Sequence, residues 1–193
     1  MANDINIIIL AGGKSSRMGQ DKGLIKVKSR EVVKYLINTC EQVSSRITII
    51  SNTKEYEKFG YPVINDLIGN IGPIGGLYTG LELANDDFNL VLSCDVPLVS
   101  VKLLQTILNE NLEKLDGIVA MHSGKIHPLI GLYSKKLLGQ INDLIVNKKF
   151  RMSGIYKLDS VMVKDLSQFP EKEFLNLNTK EDVELFKQWI DDY

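Results

Sequence analysis

The sequence predicts an α/β protein, a Rossmann-like three-layer α/β/α sandwich built around a mostly parallel sheet. Short apolar segments alternate along the chain with longer segments of helical periodicity. The first apolar run, Ile5–Leu10, is aliphatic at nearly every position, as is typical of a parallel strand that is buried on both faces. Strands that alternate with helices favour crossover connections and helices on both faces of one sheet. At 193 residues, one domain over positions 1–193 is expected.

Each predicted element is bounded by turn residues or by a change of periodicity. The predicted strands are Ile5–Leu10, Arg46–Ser51, Pro62–Ile64, Asn89–Cys94, Gly117–Ala120, Pro128–Tyr133 and Ser160–Val163. The predicted helices are Glu31–Val43, Lys54–Phe59, Ile74–Ala84, Lys102–Leu115, Lys135–Val146 and Lys180–Trp189. Asn178 or Thr179 is expected to cap the last helix, because both residue types accept hydrogen bonds from a helix N-terminus.

Composition narrows the class of function. The formal net charge of −1 provides no overall field to attract nucleic acid or a membrane surface, so neither partner is expected. No apolar run approaches the roughly 20 residues of a membrane span. Cys40 and Cys94 form no C-x-x-C pair, which argues against a disulfide or zinc framework. The first strand begins within a few residues of Met1, leaving no room for a targeting peptide, and a cytoplasmic location is therefore expected.

The loop after the first strand carries the strongest functional pattern. Gly12 and Gly13 end the strand, and Lys14, Arg17 and Lys22 follow closely. Backbone N–H groups and cations at the carboxyl edge of a sheet suit the phosphates of a nucleotide. The spacing excludes a P-loop, since Ile8 stands where its first glycine is required, and it also excludes the dinucleotide fingerprint. Ordinary turn glycines with solvated lysines remain the alternative.

These residues resemble a known family. L-A-G-G-x-x-x-R-M-G-x-D-K, from Leu10 to Lys22, is similar to the motif of nucleotidyltransferases that act on the molybdenum cofactor, and most similar to the MobA-type guanylyltransferases. The resemblance implies a nucleotide-diphospho-sugar transferase-like fold, with GTP as substrate and Mg²⁺ as cofactor. It implies transfer of GMP from GTP to molybdenum–molybdopterin, with release of pyrophosphate. Leu10, Ala11, Gly12, Gly13 and Lys22 are then expected to bind the nucleotide.

Two further loops follow apolar strands, and we expect both at the same sheet edge. Asp95 ends the strand of L-V-L-S-C-D-V-P and is suited to Mg²⁺; the alternative is a cap for the helix near Ser100. The resemblance implies that Asp95 binds both metal and nucleotide. Asp66 forms either an Asx turn or, as in the family, a nucleotide contact. In the segment G-P-I-G-G, Gly75 is expected to lie against the nucleotide.

Asn52 ends another strand on this edge. Its amide could bind a base or a ribose, or it could cap the following helix, Lys54–Phe59. Lys22, Arg17 and Asp95 are the expected catalytic residues. A phosphate nucleophile is already anionic, so alignment and charge neutralisation suffice without a general base.

The acceptor is expected to contact the second half of the chain. The family places its pterin near segments similar to His127-Pro128 and Asn176-Leu177-Asn178-Thr179. Arg151 belongs to a basic cluster with Lys148 and Lys149 that suits a phosphate-bearing acceptor, although such clusters are usually solvated. The alternatives are a buried structural histidine for His127 and a helix cap for Asn178.

Gly12 indicates which base is used. Relatives that transfer CMP usually carry L-A-A-G here, and the absence of a methyl group at Gly12 leaves room for a purine, which favours guanine over cytosine. A CTP-dependent molybdenum cofactor cytidylyltransferase, a sugar-phosphate nucleotidylyltransferase and a nucleotide-binding regulatory module remain alternatives. Transient contact with molybdoenzymes or their chaperones is compatible with the enzyme.

Overall fold

A seven-stranded, mostly parallel sheet with helices on both faces forms the centre of the protein. The computed structural model describes residues 5–12 and 21–191. The strands are β1 Asn6–Leu10, β2 Lys26–Val27, β3 Arg30–Glu31, β4 Ile47–Ile50, β5 Val63–Ile64, β6 Phe88–Ser93, β7 Gly117–His122, β8 Lys125–Ser134 and β9 Val161–Asp165. The α-helices are α1 Val32–Cys40, α2 Pro73–Leu83, α3 Val101–Leu108, α4 Leu138–Val146, α5 Ser153–Tyr156 and α6 Lys180–Asp191. The predicted fold class is confirmed.

The order of strands brings four carboxyl ends together. The large sheet runs β5-β4-β1-β6-β8-β7-β9, and β1 pairs in parallel with both β4 and β6. The strand β5 extends this parallel block beyond β4. The strand β8 runs antiparallel to both of its neighbours. Because β5, β4, β1 and β6 point the same way, the loops after these strands open on one edge of the sheet.

The helices form the two outer layers because alternate residues of each strand face opposite sides. Ile7 and Ile9 of β1 pack against α1 and α3, whereas Ile8 packs against α2 and α4. All three of these isoleucines are fully buried. A smaller cluster joins α6 to the β2–β3 hairpin and the start of α1. The C-terminal helix is thereby held on the same side as the first loop.

The predicted strands are all present, whereas several helix bounds differ. The hairpin of β2 and β3 was not predicted, and it displaces the expected helix start at Glu31. Its turn residues, Lys28 and Ser29, both have positive φ, as in a type I′ turn. The segment Lys54–Phe59 is a 3₁₀ helix, and Gly60 caps its C-terminal end. The predicted helix Lys102–Leu115 ends early, at Leu108. In the described part of the chain, no helix has both the length and the apolar character needed to traverse a bilayer.

Candidate active site

A cleft of about 1100 Å³ lies at the carboxyl edge of β5, β4, β1 and β6. It has the size and mixed polar and apolar lining of a small-molecule site. Its walls are formed by Leu10, Ala11, Gly12, Asp21, Lys22, Leu24, Ile50, Ser51, Asn52, Thr53, Glu55, Asp66, Asn70, Gly72, Pro73, Gly76, Ser93, Cys94, Asp95, Leu129 and Asn178. Seven predicted site residues from four loops thus line the cleft. An eighth, Asn178, comes from the C-terminal part of the chain.

The end of β1 forms the centre of this cleft. The N–H of Ala11 donates to Ile50 O at 2.9 Å, and Leu10 O accepts from Cys94 N at 3.0 Å, so β1 is held from both sides. Gly12 has φ +97°, a conformation that side chains rarely adopt. A Cβ built on Gly12 would lie 3.2 Å from Ser51 Oγ. Backbone conformation therefore requires glycine here, in addition to any room that it leaves for a base.

The residues of the predicted phosphate cradle are only partly described. Gly13, Lys14 and Arg17 lie outside the described residues, so their predicted roles stay predictions. Lys22 is described and lies at the start of a 3₁₀ turn, Lys22–Leu24, that Asp21 caps. Its ammonium donates to Asp95 Oδ2 at 3.1 Å and to Asn178 Oδ1 at 2.5 Å. Lys22 therefore joins the first loop, the β6 loop and the C-terminal segment.

Asp95 has one unpaired oxygen. Its side chain is 10% exposed, and Oδ2 pairs with Lys22. Its Oδ1 is buried and has no hydrogen-bond partner among the described residues. The cap at the start of α3 is Ser100, whose Oγ accepts from Leu103 N at 3.1 Å, so the alternative role of Asp95 as a cap is wrong. A buried carboxylate oxygen without a partner is costly and is suited to a ligand.

Mg²⁺ fits this donor set. The ion commonly takes one or two protein carboxylates and completes its shell with water and substrate phosphates. Residues 5–12 and 21–191 contain no cluster of three or more acidic, histidine or cysteine side chains able to hold a metal. A single carboxylate beside a lysine is compatible with this kind of coordination, in which water and substrate phosphates supply the remaining ligands.

Asp66 is differently bound. Its Oδ1 accepts from Ile68 N at 2.9 Å and from the Thr79 hydroxyl at 3.0 Å. The first contact is the Asx turn that sequence reasoning left open. Asn52 Oδ1 accepts from Asp66 N at 3.0 Å, while Thr53 caps the following 3₁₀ helix, so Asn52 is not a cap. Asn52 and Thr79 together fix the loop after β5 at the rim of the cleft.

Gly75 is not among the residues that line the cleft, and its expected contact with the nucleotide stays a prediction. A Cβ on Gly75 would come within 2.7 Å of Ile68 O and 3.0 Å of Asp66 Oδ2. The missing side chain thus lets α2 pack against the Asp66 loop. Gly72, Pro73 and Gly76 face the cleft instead.

The predicted acceptor residues are divided. Asn178 reaches the cleft, and Thr179 is the cap of α6 in a reciprocal pair with Asp182. Asn176 is not among the residues that line the cleft. Its Oδ1 is buried without a hydrogen-bond partner among the described residues, although its side chain lies close enough to His127 to oppose the lowering of that imidazole's pKa. The N–H of Leu177 donates to Asp95 O at 3.0 Å, which holds this segment against the β6 loop.

His127 and Arg151 lie away from the cleft walls. His127 is buried on β8, with its ring 5.2 Å from that of Phe174, and it belongs to the strand, not to a loop. Burial, with Lys125 and His122 as positive neighbours, lowers the pKa of His127 to about 4. The imidazole is therefore neutral near pH 7. Arg151 is exposed and lies between α4 and α5. This position agrees with the alternative that Arg151 is a solvated surface residue.

Sequence reasoning assigned no role to several residues that shape the site, among them Asp21, Tyr56 and Leu129. Asp21 accepts from Gly23 N at 3.0 Å and from the Tyr56 hydroxyl at 2.6 Å. Leu129 reaches the cleft because β8 bulges: Val119 pairs with Gly131, but Ala120 pairs with His127. Asp21 stands next to Lys22 in the recognised motif and could have been found there. Tyr56 and Leu129 carry no comparable signal, because tertiary packing brings them to the site.

The family model described as a MobA-like NTP transferase domain matches residues 7–160. The chain belongs to the MobA-like NTP transferase family. It is 34% identical over 179 residues to a probable molybdenum cofactor guanylyltransferase of Flavobacterium johnsoniae, covering 93% of this chain and 94% of the relative. It is 32% identical to a molybdenum cofactor guanylyltransferase of Vibrio vulnificus, covering 94% of each chain.

Solved structures agree on the fold. The crystal structure of molybdopterin-guanine dinucleotide biosynthesis protein A from Archaeoglobus fulgidus superposes with a TM-score of 0.83 at 17% identity, covering 98% of this chain and 100% of that one. At this identity the likeness concerns the fold alone. The family match includes Asp95 but ends before Asn176 and Asn178, which lie on the segment that packs against Asp95.

Proposed function

We propose that this protein transfers GMP from GTP to molybdenum–molybdopterin and releases pyrophosphate, with Mg²⁺ as its cofactor. A phosphate oxygen of the acceptor attacks the α-phosphorus of GTP, and the bond to the β-phosphate oxygen breaks. Family membership and the names of the relatives support the nucleotidyl transfer and its substrates. The observation that carries the proposal is the buried, unpaired Asp95 Oδ1 beside Lys22, in a cleft large enough for a nucleotide.

Lys22 and Asp95 supply opposite charges at the reacting phosphates. The ammonium of Lys22 lies at the cleft wall and neutralises negative charge on the phosphates as the pentacoordinate phosphorus forms. Arg17 is proposed to assist it, because a guanidinium grips two phosphate oxygens at once. Asp95 would hold Mg²⁺, which when bound would supply positive charge to screen the triphosphate and the leaving pyrophosphate.

The nucleotide is proposed to lie along the ends of β1 and β4. The backbone of Leu10, Ala11, Gly12 and Gly13 supports it, and Asn52 and Asp66 contact it from the rim. Preference for guanine remains part of the proposal. The backbone conformation of Gly12 already requires glycine. The room that Gly12 leaves for a purine is therefore a weaker argument for guanine than the sequence suggested.

The acceptor is proposed to bind near the C-terminal segment. Asn178 lines the cleft, and Asn176 Oδ1 supplies a buried acceptor without a described partner. His127 and Arg151 are more distant candidates, and they stay predictions. A cytoplasmic location and transient contact with molybdoenzymes or their chaperones complete the proposal.

A nucleotide panel tests the substrate first. Thermal shifts are measured with GTP, CTP, ATP and UTP, each with Mg²⁺ and with chelator. A ligand at about 100 times its Kd adds about 2.7 kcal/mol of stability, which is readily seen. Stabilisation by GTP that requires Mg²⁺ is expected. Preference for CTP would indicate a cytidylyltransferase, and no response to any nucleotide would contradict the proposed site.

A transfer assay tests the reaction. GTP labelled at the α-phosphate is incubated with molybdopterin, and the label is expected in a dinucleotide product. Transfer to a sugar phosphate in preference to the pterin would indicate a sugar-phosphate enzyme. Binding of GTP without transfer to either acceptor would indicate a regulatory module.

A further inference from the structure

A buried tyrosine is connected to the turn that carries Lys22. Tyr56 lies in the 3₁₀ helix Lys54–Phe59 and is fully buried among the apolar residues beneath β1. Its hydroxyl donates to Asp21 Oδ1 at 2.6 Å. The same oxygen accepts the N–H of Gly23 at 3.0 Å. One carboxylate oxygen therefore joins the tyrosine to the backbone on the far side of Lys22.

The turn packs directly on this hydroxyl. A Cβ built on Gly23 would lie 2.4 Å from the Tyr56 oxygen and 3.1 Å from Cys94 Sγ, so only a glycine allows the observed approach. Burial raises the pKa of Tyr56, so its hydroxyl keeps its proton and remains a donor over the working pH range. Asp21 is therefore held by a donor whose state does not change with pH.

The side chain of Lys22 is held at both of its ends. Its side chain is a flexible four-carbon stem, and its ammonium is 3.1 Å from Asp95 Oδ2. The turn fixes the base of the stem, whereas Asp95 and Asn178 contact its tip. If Asp21 loses its hydrogen bond from Tyr56, the turn can shift while both contacts at the tip remain possible.

We propose that Tyr56 is a positioning residue for nucleotidyl transfer, acting through Asp21 to aim Lys22 at the phosphates of the nucleotide. This inference rests on the proposed function. Tyr56 does not touch the substrate, and it acts from beneath the cleft. Misplacing a reacting or stabilising group by about 1 Å can cost about 100-fold in rate.

The test compares Tyr56→Phe with a matched control. Tyr61→Phe removes a hydroxyl hydrogen bond of the same length, 2.6 Å, that Tyr61 donates to Glu41 at the protein surface. Tyr56→Phe is expected to lower kcat for GMP transfer about tenfold and to change KM for GTP less than threefold. Tyr61→Phe is expected to leave both parameters unchanged. Equal kcat values for the two variants would overturn the proposal.

A second measurement separates positioning through Lys22 from general loosening. Binding of inorganic triphosphate is measured by calorimetry for the wild type, Tyr56→Phe, Lys22→Ala and the double variant. Tyr56→Phe is expected to weaken binding by a factor of about three when Lys22 is present and to have no effect when it is absent. The same loss in the Lys22→Ala background would overturn the proposal. Asp21→Asn, which keeps an acceptor oxygen for Tyr56, is expected to retain most of the affinity.

The two measurements also separate this inference from the proposed function. A wild-type protein that binds triphosphate but transfers no nucleotide would contradict the proposed function alone. The triphosphate measurements then decide the role of Tyr56. A loss that depends on Lys22 supports the inference, and the absence of any loss overturns it.

Discussion

Asp66 and Asp95 follow β5 and β6, the two outermost strands of the same parallel block, yet their carboxylates differ in their hydrogen bonding. Asp66 Oδ1 accepts two hydrogen bonds, from Ile68 N and the Thr79 hydroxyl. Asp95 Oδ2 meets only Lys22, and its Oδ1 is buried with no partner in the described part of the chain. The Asp66 carboxylate shapes a loop, whereas the Asp95 carboxylate keeps one oxygen available for a ligand.

This difference separates two kinds of acidic residue that look alike in sequence. Each lies where an apolar strand ends, and each has glycine or proline nearby. Only hydrogen-bond accounting distinguishes them, because a satisfied carboxylate has less to offer a cation than a buried one with an unpaired oxygen. We therefore expect chemistry at Asp95 and recognition or loop geometry at Asp66.

The largest effect is expected at Asp95. Asp95→Asn keeps the shape of the side chain but removes the charge that faces the metal, so kcat should fall about 1000-fold, a loss on the scale of one transition-state contact. The measurement is steady-state GMP transfer at saturating Mg²⁺. Asp66→Asn is the matched control and should mainly raise KM for GTP. Equal losses of kcat in the two variants would remove the distinction between the carboxylates.

Gly75→Ala tests the packing on the Asp66 side. The added Cβ would meet Ile68 O at 2.7 Å, a backbone atom that can move only with its loop. Overpacking of this kind should cost up to about 3 kcal/mol in the free energy of unfolding, measured in urea. Gly139→Ala is the control, since nothing lies within 4 Å of a Cβ at that position on α4. No difference between the two variants would show that the Asp66 loop yields freely.

Thr79→Val removes the hydroxyl that serves the same loop. Thr79 Oγ accepts from Leu67 N at 2.9 Å and donates to Asp66, so valine leaves the Leu67 N–H without its partner and removes one of the two hydrogen bonds to Asp66 Oδ1. The expected loss is about 2 kcal/mol of unfolding free energy, with a higher KM for GTP. Thr79→Ser keeps the hydroxyl and should restore both values. A serine variant as weak as valine would show that keeping the hydroxyl is not sufficient to hold the loop.

The pH dependence of stability should reflect the burial of His127. The pKa of His127 falls to about 4 in the folded protein, below its ordinary value of 6.5. The unfolded chain therefore binds the proton first as pH falls, and stability is lost between about pH 6.5 and 4. We expect His127→Gln to remove about 1 to 2 kcal/mol of that loss, measured by urea unfolding at pH 7.5 and 5. The same slope in both proteins would assign the acid sensitivity elsewhere.

Much of the fold was predictable because its signals are local. The aliphatic run of β1 and the short apolar segments of the other strands can be recognised from the residues of each segment alone. The antiparallel direction of β8 was not predicted. Ser123-Gly124, between β7 and β8, is nevertheless a hairpin signal in the sequence. The hairpin of β2 and β3 was missed because Lys28 and Ser29, neither of them glycine, adopt positive φ in its turn. The single-domain expectation stays a prediction.

The amino-acid sequence by itself determined the sheet class, the family motif from Leu10 to Lys22, and the positions of Asp66 and Asp95 at strand ends. These follow from local periodicity and from residue types at fixed spacing. Only the tertiary structure decided that Gly75 packs while Gly76 faces the cleft, that Tyr56 supports Asp21, and that Asn178 meets Lys22. Such contacts join residues distant along the chain, and their hydrogen bonds are decided by three-dimensional packing that no local pattern encodes.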